Sequence, residues 1–320
     1  MYNYLTSKLV NVLITGTLLL GVLATNSLVA FVWLSPSNRT PVSILLSIIA
    51  FHDTLTIIFG ASNVIASYIG GSLLSVKACY VVMTTSTLAF VFHSQSILST
   101  TYLAIQRCVI CAFPFLGPRV FGLKTTTICV IVSFVSMMAL KMPDLLFYDI
   151  GGIIHTFDDN TTALNCKVNY ILNDETVLEL PEIYMYIRFF ALHLVPGCIV
   201  SFCMVVCLIT VNRKTMATSQ SSDQQRIRTR TTLMLVLIMF VFILGELPTT
   251  ISVFHRAFFP GQPIWLTTST GNWFCNITLV TSYTVNIWVY IAMSKGFRQS
   301  LSMMLCSPSR TVTSNNSNTA

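Results

Sequence analysis

Seven stretches of this 320-residue chain run for about 20 residues or more with almost no charge: 11–34, 41–67, 78–108, 125–143, 184–211, 231–254 and 264–293. A bilayer's hydrocarbon core is about 30 Å thick and a helix rises about 1.5 Å per residue, so about 20 apolar residues cross it. No soluble fold accommodates seven such runs spread evenly along the chain. Composition agrees: 54% of residues are hydrophobic and only 9% charged, against about 25% charged in ordinary soluble domains. The runs are too long for barrel strands, and no internal repeat of the kind many transporters carry is evident. The fold class expected is an all-α membrane protein, a seven-transmembrane helix bundle. It is divided into an extracellular amino-terminal segment (1–10), the bundle (11–293), a short amphipathic eighth helix (294–306) and a disordered cytoplasmic tail (307–320). The first run reads as a retained anchor, because its uncharged stretch is long and no small-residue cleavage site follows it.

Basic residues set the orientation. With the amino terminus outside a cell membrane, the inner segments hold Arg39, Arg107, Arg119, Lys124, Arg213, Lys214, Arg226, Arg228, Arg230, Lys295, Arg298 and Arg310, opposed only by Asp223. The outer connection between the fourth and fifth spans collects the acids, from Asp144 to Glu182. The same connection carries a glycosylation acceptor at Asn160. Cys79 and Cys166 are the cysteines on the oxidising side, so a disulfide between them is expected. Most of the other cysteines read as small buried hydrophobes. Cys306 follows the amphipathic piece and is a candidate for acylation, which would hold that piece on inner-leaflet lipid.

Polar residues inside the spans are costly and therefore informative. Each charged one costs roughly 2.5–3.5 kcal/mol at a helix centre, so it should face the bundle interior. Asn26, Asp53, Ser96 and Asn286 stand near mid-depth in four different spans and read as one cluster. A carboxylate there must protonate or recruit a cation, and a sodium ion near Asp53 is the candidate. Glu246 is costlier still, since it lies two residues before Pro248, which must kink its helix. It is expected to be water-accessible or paired. A proton or cation path through Asp53, Glu246, His52, His93 and His193 is the rival use of these groups, although they are few for a transporter.

Together with the seven spans, Asn26 with "IAFHD", "AIQRCVICAFP", Pro196, Pro248 and "NIWVYIAMSKGFR" resemble a rhodopsin-like G-protein-coupled receptor over essentially the whole chain. Within that group, "RTTLMLVLIMFVFILGELP" and "VNIWVYIAMSKGFRQSL" are most similar to invertebrate FMRFamide-like and myosuppressin-like neuropeptide receptors and to related nematode chemosensory receptors. The resemblance implies that Arg107 meets a heterotrimeric G protein when the inner half of the sixth helix swings outward, and that Pro248 is the pivot. It places Glu246 where the family carries a tryptophan, at the floor of the ligand cavity. Asn286 and Tyr290 match the family's seventh-helix motif, with Ile287 in place of its proline. Gln106 stands where relatives have an acid beside the arginine, and Arg228 where many have another acid, so the usual ionic restraint is absent. An arrestin-like partner is implied for the Ser- and Thr-rich tail.

Ligand class follows largely by elimination. The position of the aspartate that holds amines in this family is Ala89, and Val280 fills the site of the retinal-binding lysine, so neither a biogenic amine nor retinal is expected. The acidic outer connection would steer a cationic ligand. Glu246, Tyr184, Trp265, Trp273 and Phe254 are the candidate contacts for a short amidated peptide with arginine near its carboxyl end. A small-molecule chemosensory receptor is the alternative. Nothing in the chain suggests an enzyme or a nucleic-acid partner: it has neither a paired-aspartate signature nor an H-E-x-x-H helix.

Overall fold

A computed structural model of the chain describes the backbone of residues 2–35, 40–70, 76–113, 115, 117–146, 148–156, 162–170, 185–217, 223–259, 261–262 and 264–306. Side chains are described for these residues except 2–12, 63–70, 76–79, 118, 142–146, 148–156, 162–170, 214–217, 223–226, 228, 269 and 305–306. The long helices are α1 (Tyr2–Leu34), α2 (Pro41–Gly70), α3 (Val76–Ala112), α4 (Leu123–Leu146), α5 (Val195–Ala217), α6 (Asp223–Phe258) and α7 (Ser269–Met293), followed by α8 (Lys295–Cys306). A single helical turn, Gly117–Val120, links α3 to α4. Seven of the described helices are long and apolar enough to cross a membrane.

Helix ends exceed the apolar runs where polar sequence continues the spiral. α1 starts at Tyr2, so the segment 1–10 is largely helical. α6 begins at Asp223, and the polar "DQQRIRTR" extends it beyond the stretch that hydropathy marks. Hydropathy measures bilayer thickness, whereas helix termination is decided by capping and by glycine or proline.

A β-hairpin is the departure from an all-helical chain. β1 (Tyr148–Thr156) and β2 (Thr162–Tyr170) pair antiparallel from Tyr148↔Tyr170 to Thr156↔Thr162, with Cys166 opposite Gly152. The cause is legible in β2, "TALNCKVNY", where Leu, Cys, Val and Tyr alternate with polar residues at the strand period of two. The hairpin and α8 lie at opposite ends of the bundle, and those ends are called the hairpin side and the α8 side below.

Among the described residues three apolar clusters hold the helices together, one of them Val22, Leu279, Val280 and Tyr283 between α1 and α7. Toward the α8 side, Val32, Leu45, Leu103, Leu235, Tyr290 and Phe297 form one core. Between α3, α5 and α6 a second contains Ala104, Val200, Cys203, Cys207, Val236 and Met239. Cys203 and Cys207 thus pack as small hydrophobes. The outer faces remain apolar: Val195, Phe202, Val205 and Ile209 form an exposed stripe on α5, and Phe240, Leu244, Leu247 and Ile251 form one on α6. Stripes of that kind suit lipid rather than water.

The turn into α8 is fixed from both sides. Trp33 meets Tyr290 edge-on at 5.6 Å and Phe297 at 5.4 Å, and Phe297 is fully buried. Arg298 Nη1 donates to the α7 carbonyls of Ile291 at 2.7 Å and Ala292 at 2.9 Å, acceptors that the helix end would otherwise leave unpaired. Arg298→Ala removes a net contribution of about 1 kcal/mol, so the α8 amides should exchange with solvent roughly fivefold faster while those of α3 are unchanged.

Candidate functional site

Proline shapes the two helices that carry the site. Pro196 lacks an N–H for the carbonyl of Leu192, and the turn before it widens into a π-helix, Phe189–Leu194, in which Val195 N–H donates to Phe190 O. The widened turn brings His193 into the interior, where it is buried. Pro248 lies inside α6, where it lacks an N–H for the carbonyl of Leu244, and the helix stays α-helical through it. Thr250 Oγ1 donates to Glu246 O at 2.9 Å, within the bend.

Glu246, His93 and His193 converge on one point from α6, α3 and the π-helical start of the fifth span. Glu246 Oε2 lies 3.7 Å from His93 Nε2 and 3.9 Å from His193 Nδ1. Both separations fall within ion-pair reach and beyond hydrogen-bond length. All three facing atoms are buried with no hydrogen-bond partner. His93 is anchored from its other side, its Nδ1 standing 3.0 Å from Tyr283 Oη of α7. Tyr283→Phe removes that bond and should destabilise the receptor by about 1 kcal/mol, read as a drop in melting temperature; His93→Phe on the same background should add little further loss.

Two cations stand nearby. Lys141 Nζ of α4 lies 4.1 Å and Arg188 Cζ 4.8 Å from the centroid of the Phe90 ring of α3. Each is a charge inside an apolar run, Lys141 within 125–143 and Arg188 within 184–211.

Two cavities border the cluster. One of about 410 Å³ lies between the fifth span and α6, with His193 and Glu246 on its wall and Ile97 of α3 beside them. The other, about 360 Å³, lies among α1, α2, α3 and α7, and His93 and Trp273 line it. Ala89 and Val280 line this second cavity as apolar wall.

The sequence pattern of the family described as 7 transmembrane receptor (rhodopsin family) matches residues 25–294. The chain belongs to that receptor family. No curated protein gave a match. The family is one of receptors rather than enzymes, and its members take an extracellular ligand and couple to G proteins.

In the receptor, Asp53 accepts a hydrogen bond from Ser96 Oγ at 2.5 Å, which joins two of the four mid-depth polar residues. Asn26 is buried with its amide nitrogen lacking a hydrogen-bond partner, and Asn286 is half-buried. Of the four mid-depth residues, Asp53 and Ser96 are thus joined by a hydrogen bond. Among the described residues no group of three or more His, Cys, Asp or Glu is arranged to hold a metal ion.

Arg107 of the receptor is half-buried, its Nε has no hydrogen-bond partner, and among the described residues it makes no salt bridge. Gln106 is buried with Oε1 likewise lacking a partner. Tyr290 packs in the Trp33–Phe297 corner, an aromatic setting that motif matching did not reveal. Of the proposed ligand contacts, Trp273 and Glu246 line cavities. Trp265 is exposed against Phe274 at 5.4 Å, and Phe254 sits in an aromatic seam with Phe189 and Phe258 rather than on either cavity wall. Tyr184 and Asn160 lie outside the described residues, as do the side chains of Cys79, Cys166, Cys306 and Arg228.

Proposed function

We propose that the receptor sits in the cell membrane with its hairpin side outward and binds a short basic peptide there, of the amidated FMRFamide-like kind. It signals through a heterotrimeric G protein at Arg107, with an arrestin-like protein and inner-leaflet lipid as further partners. The observation that carries this reading is the buried carboxylate oxygen of Glu246, which has no donor and stands beside a cavity wall at the bend of α6. A ligand cation reaching it supplies the missing donor and acts directly on the segment that pivots. The acids of the 144–182 connection favour the approach of such a ligand. Trp273 on the second cavity offers an apolar wall for its side chains.

The same reading assigns a disulfide to Cys79 and Cys166, a glycan to Asn160, an acyl chain to Cys306, and a sodium ion to the Asp53–Ser96 pair. A small-molecule chemosensory role is the second reading, favoured by cavities of about 360 and 410 Å³, which lie at the lower end of small-molecule sites. A panel of amidated peptides is applied to receptor-expressing cells, with calcium and cyclic nucleotide read in parallel. The peptide reading requires that one carrying arginine near its carboxyl end signals, and that the citrulline analogue is at least tenfold weaker. Silence across the panel, together with a response to neutral small molecules, transfers the assignment to the chemosensory class.

A further inference from the structure

The cavity beside Glu246 has its mouth on the lipid-facing surface. Its wall includes Leu194, Cys198 and Leu247, and all three are exposed. Cys198 falls in register with the outward stripe of α5, three residues after Val195 and four before Phe202. Leu247 falls in the outward stripe of α6 between Leu244 and Ile251. Both stripes belong to spans that face hydrocarbon, so the opening between them looks into the bilayer. At the inner end stand Glu246 and His193, about 93–94% buried, with Glu246 Oε2 and His193 Nδ1 unpartnered. The space around Gly197 is open, since a Cβ there would meet nothing within 4 Å.

We propose that this crevice is a second ligand site, entered sideways from the membrane, for a lipophilic amine: an apolar body along α5 and α6 with a nitrogen donor placed on Glu246. The chemistry narrows the class. A plain acyl tail would fill the apolar wall and leave the carboxylate oxygen unsatisfied. A choline headgroup has no N–H or O–H to donate. A fatty acid's carboxylate only accepts, so it brings no donor to the unpartnered oxygen. An ammonium group supplies up to three donors and the complementary charge. The volume of about 410 Å³ lies within the range of small-molecule sites. The proposal does not depend on the peptide reading: the peptide comes from the hairpin side, the amine from the bilayer, and the two share Glu246.

The test uses the full-length receptor in phosphatidylcholine nanodiscs with dodecylamine bearing a photoreactive diazirine, and maps the label by mass spectrometry. In the wild type, label should concentrate on residues 192–201 and 242–250 and be displaced by excess dodecylamine. Gly197→Phe and Leu247→Trp, which plug the mouth from opposite helices, should each lower it at least tenfold. Gly197→Ala, which has room for its methyl group, should keep it. Glu246→Gln should lower it several-fold, and the matching dodecanoic acid probe should label these segments no more than it labels the plugged variants. Label spread evenly over the lipid-facing stripes, or unchanged in the plugged variants that fold, overturns the site. Equal labelling by acid and amine overturns the headgroup assignment. Since none of these readings involves the peptide, failure here leaves the peptide screen to be judged by itself.

Discussion

Replacing Glu246 with leucine raises the melting temperature of the receptor by a few degrees and abolishes its response to agonist. Both effects follow from one feature. Glu246 is buried and its Oε2 has no hydrogen-bond donor, with His93 Nε2 and His193 Nδ1 held at 3.7 and 3.9 Å. A buried polar atom in that condition costs about 1–3 kcal/mol, and an apolar side chain of similar volume removes the penalty. In a chain of this size that amounts to a few degrees. Signalling fails because leucine offers nothing for a ligand cation to bind. A thermal-shift assay and a concentration–response curve on the same preparation check the pair of outcomes. A drop in melting temperature would mean that the histidines hold the carboxylate firmly and that it is structural.

Gly245→Ala is the second large effect, and it acts one residue away through a different interface. A Cβ at Gly245 would stand 2.6 Å from Ser282 Oγ and 2.7 Å from Ser282 Cβ. The hydroxyl can rotate away; the Cβ is fixed to the α7 backbone, so α6 and α7 must part. Overpacking of this kind costs about 1–3 kcal/mol. Because the contact lies between Glu246 and the helix that carries Tyr283, the bend at Pro248 should be disturbed as well, and basal signalling should change. Adding Ser282→Gly should recover most of the stability, giving a coupling of about 1–2 kcal/mol in the double-mutant cycle. Additive losses would show that the two residues do not meet.

The seven spans were readable because bilayer thickness imposes a length on each of them and excludes charge from it. Glu246 and Asp53 were readable as problems for the same reason. Their partners were not. His93 and His193 reach Glu246 from segments 153 and 53 residues away in sequence, and no periodicity in a single chain carries that information. The inward turn of His193 depends on the π-helix before Pro196, which hydropathy does not distinguish from a regular span. The hairpin was legible in principle: the alternation in 162–170 is plain once charge stops being the only question asked of that connection. Phe254 is aromatic and close to the span's end, as a cavity residue would be, yet it is exposed on α6 and stands in an aromatic seam with Phe189. Cavity-facing and lipid-facing aromatics look alike in sequence, since both solvents for a side chain here are apolar.

Glu246→Gln keeps shape and volume and changes only the carboxylate. At matched surface expression, the concentration–response curve of an activating basic peptide should move at least tenfold to higher concentration, and that of its citrulline analogue should not move. Superimposable curves for the basic peptide on the two receptors would contradict the claim that Glu246 receives the ligand's charge at the bend of α6.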